Sequence, residues 1–288
     1  MDISYFVPLK NRSIIELSGE NIADFLQGII AKNINALSKD ISIYSCMLTP
    51  QGKFLFDFFI TIDESKYLID IHEEYKEDFI KKLKIYRLRS KIDIKDLSDE
   101  FEVAALIGDE VYNNVKNIAG YTYKFCNGIA YIDPRSEILF ARSIIKKEND
   151  YQSFKAKNFI KGDYELYEDL RIRNTIPEGL SDLRNNESFP LHFGLDKLDA
   201  IDFDKGCYVG QEVTTRSKHR GKSKKNICTL ISEDVIELEE NEILVDGKKV
   251  GNLLSSQDKI CLALLDNKYI DDNITYKIGS LSFKLLNN

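Results

Sequence analysis

Eight consecutive residues, Lys205-Gly206-Cys207-Tyr208-Val209-Gly210-Gln211-Glu212, gather groups that can do chemistry. Two glycines bracket a cysteine and a tyrosine, and glycine permits positive φ or close approach of a ligand to the backbone. Lys205 stands two residues before the thiol, and Arg216, Lys218 and Arg220 follow it. Cations near a thiol favour the thiolate, the form that attacks electrophiles and binds metals. Gln211 and Glu212 add an amide and a carboxylate, groups that suit the polar edge of a heterocycle. The same run also makes a tight turn around a cysteine that is only a small buried hydrophobe. Physical chemistry alone leaves both readings open.

The run K-G-C-Y-V-G-Q-E, with Arg216 and Arg220-Gly221 after it, resembles the signature of the YgfZ-type folate-binding proteins. These are relatives of the glycine-cleavage T-protein (aminomethyltransferase) that assist assembly or repair of iron–sulfur clusters. Other stretches resemble the same family: Arg12-Ser13, Phe25-Leu26-Gln27-Gly28, the hairpin Gln51-Gly52-Lys53 through Asp57, Asp133-Pro134-Arg135 with Arg142, and Arg171-Ile172 before Ile176-Pro177-Glu178. The chain departs from the family at Ala31-Lys32-Asn33, Phe140, Asn174-Thr175 and His192. The resemblance covers most of the chain, densely over 12–57 and 171–221.

The elements that must position these residues follow from periodicity. Ile14 to Leu17 reads as a short strand, and Ile22, Phe25, Leu26 and Ile29 fall at helical spacing over about 20–31. Ile41 to Ile62 is aromatic and β-branched and is broken by Pro50-Gln51-Gly52-Lys53, which predicts a hairpin in a sheet covered on one face. Glu73 to Leu88 carries an apolar helical stripe of Tyr75, Phe79, Leu83 and Tyr86, with Arg87 and Arg89 suiting the dipole at its end. Strands are expected over 92–107 and 128–145 with a helix between, over 109–117. Tyr164 to Asn174 predicts a helix on which Arg171 and Arg173 lie about 200° apart, so at most one faces a shared pocket. From Asn226 onward, short β-rich runs with a turn at Asp246-Gly247 suggest a small barrel or sandwich.

Composition narrows the classes. The 288 residues suffice for two or three compact units. A net charge of −7 disfavours RNA as a whole-protein ligand, although 216–225 is locally basic. Five cysteines without C-x-x-C spacing argue for a reducing compartment rather than a disulfide framework. Three separated histidines make no metal triad. No apolar run reaches the roughly 18 residues of a membrane span. The first residues show neither a basic n-region nor an Arg-rich leader, and the expected location is cytoplasmic.

The resemblance implies an α+β fold: an aminomethyltransferase-like folate-binding body of two intertwined subdomains over 1–221, then a C-terminal β-barrel-like domain over 222–288. It implies a tetrahydrofolate-binding protein that assists iron–sulfur client proteins or cluster-assembly factors, an accessory role rather than that of a true aminomethyltransferase. It assigns Cys207 to the chemistry: ligating cluster iron, forming a transient disulfide, or attacking a one-carbon unit. Asp57, Arg171, Lys205, Tyr208, Gln211 and Glu212 are assigned to holding tetrahydrofolate or a derivative. Asp57 reads equally as an edge-strand charge, and Arg171 as a surface partner of Glu165 or Glu168. The basic run 216–225 reads as a linker or as a guide for a polyglutamate tail.

Overall fold

The residues Phe54-Leu-Phe-Asp-Phe-Phe-Ile60 do not alternate apolar with polar, and all seven are buried. A strand reads this way when both faces of its sheet are covered. The one-faced hairpin expected from the sequence is therefore corrected to a two-faced one. Phe56 and Phe58 pack on Phe79, with ring centroids 5.6 and 5.0 Å away, while Phe59 meets Tyr131 at 6.1 Å.

The computed structural model describes residues 3–88, 90–113, 115–136, 140–147, 151–219 and 224–286. In chain order it contains β1 (Ser4–Pro8), β2 (Arg12–Gly19), α1 (Ile22–Gln27), β3 (Ile43–Leu48), β4 (Phe54–Asp63), β5 (Lys66–His72), α2 (Lys76–Arg87), β6 (Ile92–Asp96) and β7 (Phe101–Ile107). There follow β8 (Thr122–Phe125), β9 (Gly128–Ile132), β10 (Ala141–Lys146), α3 (Gln152–Lys155), β11 (Phe159–Lys161), α4 (Tyr164–Arg173) and α5 (Gln211–His219). The last segment holds β12 (Lys225–Ser232), β13 (Glu242–Val245), β14 (Lys248–Gln257), β15 (Ile260–Asp266), β16 (Tyr276–Ile278) and β17 (Leu281–Leu285).

One sheet has the order β3-β4-β5-β2-β6, and a second has β11-β1-β7-β10-β9-β8. The chain enters through β1, leaves to build the whole first sheet, and returns to complete the second. This exchange makes the two subdomains intertwined, as the resemblance implies. The two sheets share one core, in which Tyr44, Phe59 and Tyr131 are buried together. The strands from β12 onward close into a six-stranded barrel, β12-β15-β14-β13-β16-β17. It docks through Ile260 and Leu262 on Ile172 of α4. The Thr229 hydroxyl donates to the Ile172 carbonyl at 2.8 Å across that seam.

Three local expectations change. The helix over 109–117 is a single 3-10 turn, Asp109–Tyr112, and Asn114 lies outside the described residues. The helix over 20–31 is shortened to six residues. Residues 216–219, expected in a linker, form the last turn of α5; Arg220, Gly221 and Lys222, with the junction at 221/222, lie outside the described residues, as does Arg89.

Candidate functional site

Of the five free cysteines, Cys207 is the exposed one; Cys46, Cys228 and Cys261 are buried and Cys126 is half-buried. Its neighbours form a collar that holds it outward. Lys205 is buried and turns its ammonium away from Cys207, donating to the carbonyls of Ile30 at 2.7 Å and Lys32 at 2.9 Å. Burial lowers its pKa to about 8, against the opposing pull of Asp202. The charge of Lys205 acts on the buried Cys46 thiol, whose pKa burial and Asp57 push up. The expected role of Lys205 as activator of Cys207 is thus corrected: the ammonium is committed to the carbonyls beyond α1.

The Tyr208 ring is buried, with its centroid 4.9 Å from Lys205 Nζ, an arrangement that suits a cation over a π-face. Its hydroxyl has no hydrogen-bond partner among the described residues. Gln211 Nε2 donates to the Lys205 carbonyl at 3.2 Å, and the Val209 amide donates to Gly28 at 3.3 Å. Gly210 has φ of +86°, and a Cβ there would come within 2.6 Å of the Thr49 carbonyl oxygen. Only glycine lets the loop lie this close to the β3–β4 hairpin. Lys205, Tyr208 and Gln211, which the resemblance assigns to holding tetrahydrofolate, make their contacts within the loop and with the carbonyls beyond α1, and so frame Cys207. Glu212 is exposed and pairs with Arg216 one turn along α5.

Sequence reasoning missed the outer half of this collar. Lys32 Nζ pairs with Asp199 at 2.5 Å and Asp202 at 3.4 Å, and Asp202 accepts from the Asn33 amide at 2.7 Å. Asn33 also accepts from Gln27 Nε2 at 3.1 Å. The signal was the departure Lys32-Asn33 set against two acids three residues apart, a complementarity that only folding makes visible.

A second set of polar groups lies buried between the sheets. Asp57, on β4 opposite Cys46 of β3, is 3% exposed. Its Oδ2 accepts from the Tyr44 hydroxyl at 2.9 Å, and its Oδ1 has no hydrogen-bond partner among the described residues. The backbone of Gly179 covers Oδ1 so closely that any Cβ would collide with it. Burial raises the Asp57 pKa and Glu178 adds to the rise, against Arg12, the Tyr44 bond and Arg135. The edge-strand reading of Asp57 is excluded by this burial.

Around it stand arginines that sequence reading left as minor. Asp70 accepts from Arg12 Nε at 2.6 Å and from Arg142 Nη2 at 2.7 Å. Asp133 holds Arg135 through Nε at 3.0 Å and Nη2 at 2.9 Å, leaving Nη1 without a hydrogen bond among the described residues and 3.6 Å from Glu178 Oε1. The guanidinium carbons of Arg142 and Arg135 stand 4.2 and 4.9 Å from the Phe59 ring centroid. Glu178 accepts from the Tyr167 hydroxyl. Burial alone would raise its pKa, but Arg135, Arg171, Arg12 and Arg142 outweigh it and hold the carboxyl at about 2. The Asp-Pro-Arg run therefore builds the centre rather than a surface turn.

Arg171 pairs with Glu168, as one sequence reading has it, but the pair is covered rather than on the surface. Its Nη1 donates to Asp182 Oδ2 at 3.0 Å and to the Ile176 carbonyl at 3.1 Å, and its other nitrogens grip Glu168. Asp182 in turn accepts from the Ser255 amide and hydroxyl of the barrel. Arg171 thereby ties α4 to the segment that carries Glu178 and to the C-terminal domain.

Among the described residues no three metal-ligating side chains converge. The orphaned groups, Asp57 Oδ1, Arg135 Nη1 and Tyr131 Oη, are an acceptor, a donor and a hydroxyl. Acceptors and donors of this kind are groups that can meet the polar edge of a heterocycle.

No family model matches the chain. The chain is 29% identical over 255 residues to the iron-sulfur cluster assembly factor IBA57 homolog, mitochondrial, of Dictyostelium discoideum, across 78% of this chain and 62% of that protein. It is 31% identical over 239 residues to the protein of that name in Neurospora crassa, across 77% of this chain and 52% of that one. With its counterpart in Pyricularia oryzae the figures are 30% over 233 residues, 80% and 58%. The chain thus spans between about half and three fifths of the length of these relatives. Their names place them in mitochondria, which overturns the expectation of a cytoplasmic protein; that expectation rested on the character of the first residues and on the cysteine usage. In structure the chain is similar to the glycine cleavage system aminomethyltransferase T from Bartonella henselae, with a TM-score of 0.81 over 99% of this chain and 85% of that one at 11% identity, and so it has the aminomethyltransferase fold.

Proposed function

We propose that the chain assists the assembly of iron–sulfur proteins, with tetrahydrofolate or a derivative held at the Asp57 centre and Cys207 offered to cluster iron. The observation that carries this reading is the collar: a buried ammonium, a buried tyrosine and a glycine in positive φ all serve to present one exposed thiol. The relatives' shared name and the aminomethyltransferase fold support it.

Cys207 loses its proton to solvent and binds iron as the thiolate. A two-iron cluster needs about four such ligands, and this face supplies one, so the others belong to the client or assembly factor. At the second site Arg135 Nη1 would donate to a ring acceptor, and Asp57 Oδ1, which the Gly179 backbone covers, would accept from a ring N–H once that segment shifts aside. Bound there, the folate supplies a one-carbon carrier and a reductant. Tyr44 orients Asp57 through its hydroxyl, and Asp133 fixes the Arg135 guanidinium. Cys46 feels the charges of both Asp57 and Lys205, so β3 joins the two sites.

The test is complementation. In cells deprived of their own assembly factor of this kind, expression of the chain should restore activity of a cluster-dependent dehydratase without changing the amount of its polypeptide. Normal expression with no restored activity would contradict the proposal.

A further inference from the structure

A cleft of about 660 Å³ opens where the hairpin tip at Gly52, the turn from Phe189 to His192, the side of α5 at Val213 and Ser217, and the barrel at Ile270 meet. Its size falls within the range of small-molecule sites, and its walls are largely apolar. It shares no side chain with the Asp57 centre or with the Cys207 collar. Phe189 and His192 both line it and lean on each other, with ring centroids 5.4 Å apart and planes tilted by 59°.

The charge around this cleft is positive, although the chain as a whole carries −7. Lys53 borders the cleft rather than lining it: its Nζ stands 3.3 Å from the centroid of the lining Phe189 ring and donates to the Glu187 carbonyl, with no acidic partner among the described ion pairs. Lys197 adds an exposed ammonium to the lining. The acid within the cleft, Asp196, is largely covered and is neutralised by Lys218. Burial and then the charges of Lys225 and Lys53 lower the pKa of His192, so the histidine is a neutral wall in a cationic field.

We propose that this cleft binds an aryl carboxylate, its flat body against Phe189, His192 and Val213 and its anionic head at Lys53 and Lys197. An uncharged aromatic forfeits the two ammonium groups, and a small inorganic anion leaves the apolar walls wet. The chemistry is that of a free aromatic acid or of the aminobenzoyl-glutamate end of a folate.

Titrate the full chain with 1-anilinonaphthalene-8-sulfonate, an aryl anion whose fluorescence rises in apolar surroundings, and displace it with 2-naphthoate or 2-naphthamide. One saturable site is expected, emptied by the acid and not by the amide. The double variant Lys53→Gln, Lys197→Gln should raise the dissociation constant of the dye at least fivefold. Ser217→Trp, a change at an exposed helical position that fills the cleft, should abolish binding while far-ultraviolet dichroism stays unchanged. Tetrahydrofolate that displaces the dye from the wild type but not from Asp57→Asn supports the site and names a folate as its source. 2-Naphthoate acting equally on both proteins supports it with a free acid. Unaltered dye affinity in both cleft variants, or displacement by the amide as readily as by the acid, would overturn the proposal.

Discussion

Lys205 Nζ lies 4.9 Å from the centroid of the Tyr208 ring, and both side chains point into the protein while Cys207 between them is exposed. The inward pair fixes the backbone on either side of the thiol, so its outward position is a property of the fold rather than of a mobile tip. Replacing Lys205 with Met keeps the stem and removes the donor to two carbonyls. Each carbonyl left unsatisfied costs about 1–3 kcal/mol, offset in part by relief of the buried charge. Amide hydrogen exchange over 205–210 should accelerate while the barrel is unaffected. Unchanged exchange would mean that the collar does not hold the loop.

Arg171 is expected to govern stability. Arg171→Ala strands the buried Asp182 carboxylate, and breaking a buried pair in this way costs about 3–5 kcal/mol. Chemical denaturation should show that loss. A folded variant such as Arg171→Lys should bind tetrahydrofolate as the wild type does; weakened binding without destabilisation would restore the clamp role.

Glu178 sets the acid limb of stability. Its pKa of about 2 in the fold lies below the ordinary value of 4.5, so its contribution is complete above 4.5 and is lost as pH falls from there through about 2. In Glu178→Gln the melting temperature at neutral pH should fall, and its decline between pH 4.5 and 2 should flatten. An unchanged acid limb would show that the carboxylate is not stabilised by the arginines around it.

Much of the fold was legible because aromatic and β-branched runs and helical stripes mark their own elements, as in β4 and α2. The site was legible only as residue types. Lys205 and Gln211 stood out in the sequence, yet the direction of Lys205 depends on carbonyls beyond α1 that lie more than 170 residues away, and Gln211 is set by the Lys205 carbonyl. Asp133-Pro-Arg135 looked like a turn because local chemistry explains it fully, whereas its burial depends on the second sheet. α5 escaped notice because Gln211 to His219 has almost no apolar face; Thr214 is its one buried residue.

Asp57 bears the opposite sign to Glu178. Its pKa is raised above 3.8, so the buried carboxylate costs stability at neutral pH, and that cost fades as pH drops through the raised value toward 3.8. Asp57→Asn should melt at or above the wild-type temperature at pH 7, with the difference closing in acid. Calorimetry should show tetrahydrofolate affinity reduced by about 1.5–3 kcal/mol, the worth of a hydrogen bond to a charged group. Equal affinity in both proteins would remove Asp57 from the folate site.

The most direct test of the account is Cys207→Ser, which alters volume little and removes the thiolate. Because the side chain is exposed and makes none of the collar's contacts, the variant should melt at the wild-type temperature. In cells deprived of their own assembly factor it should leave cluster-dependent dehydratase activity at the deprived level, while Cys126→Ser and Cys228→Ser restore it. Full restoration by Cys207→Ser would contradict the claim that this thiol is what the fold is built to present.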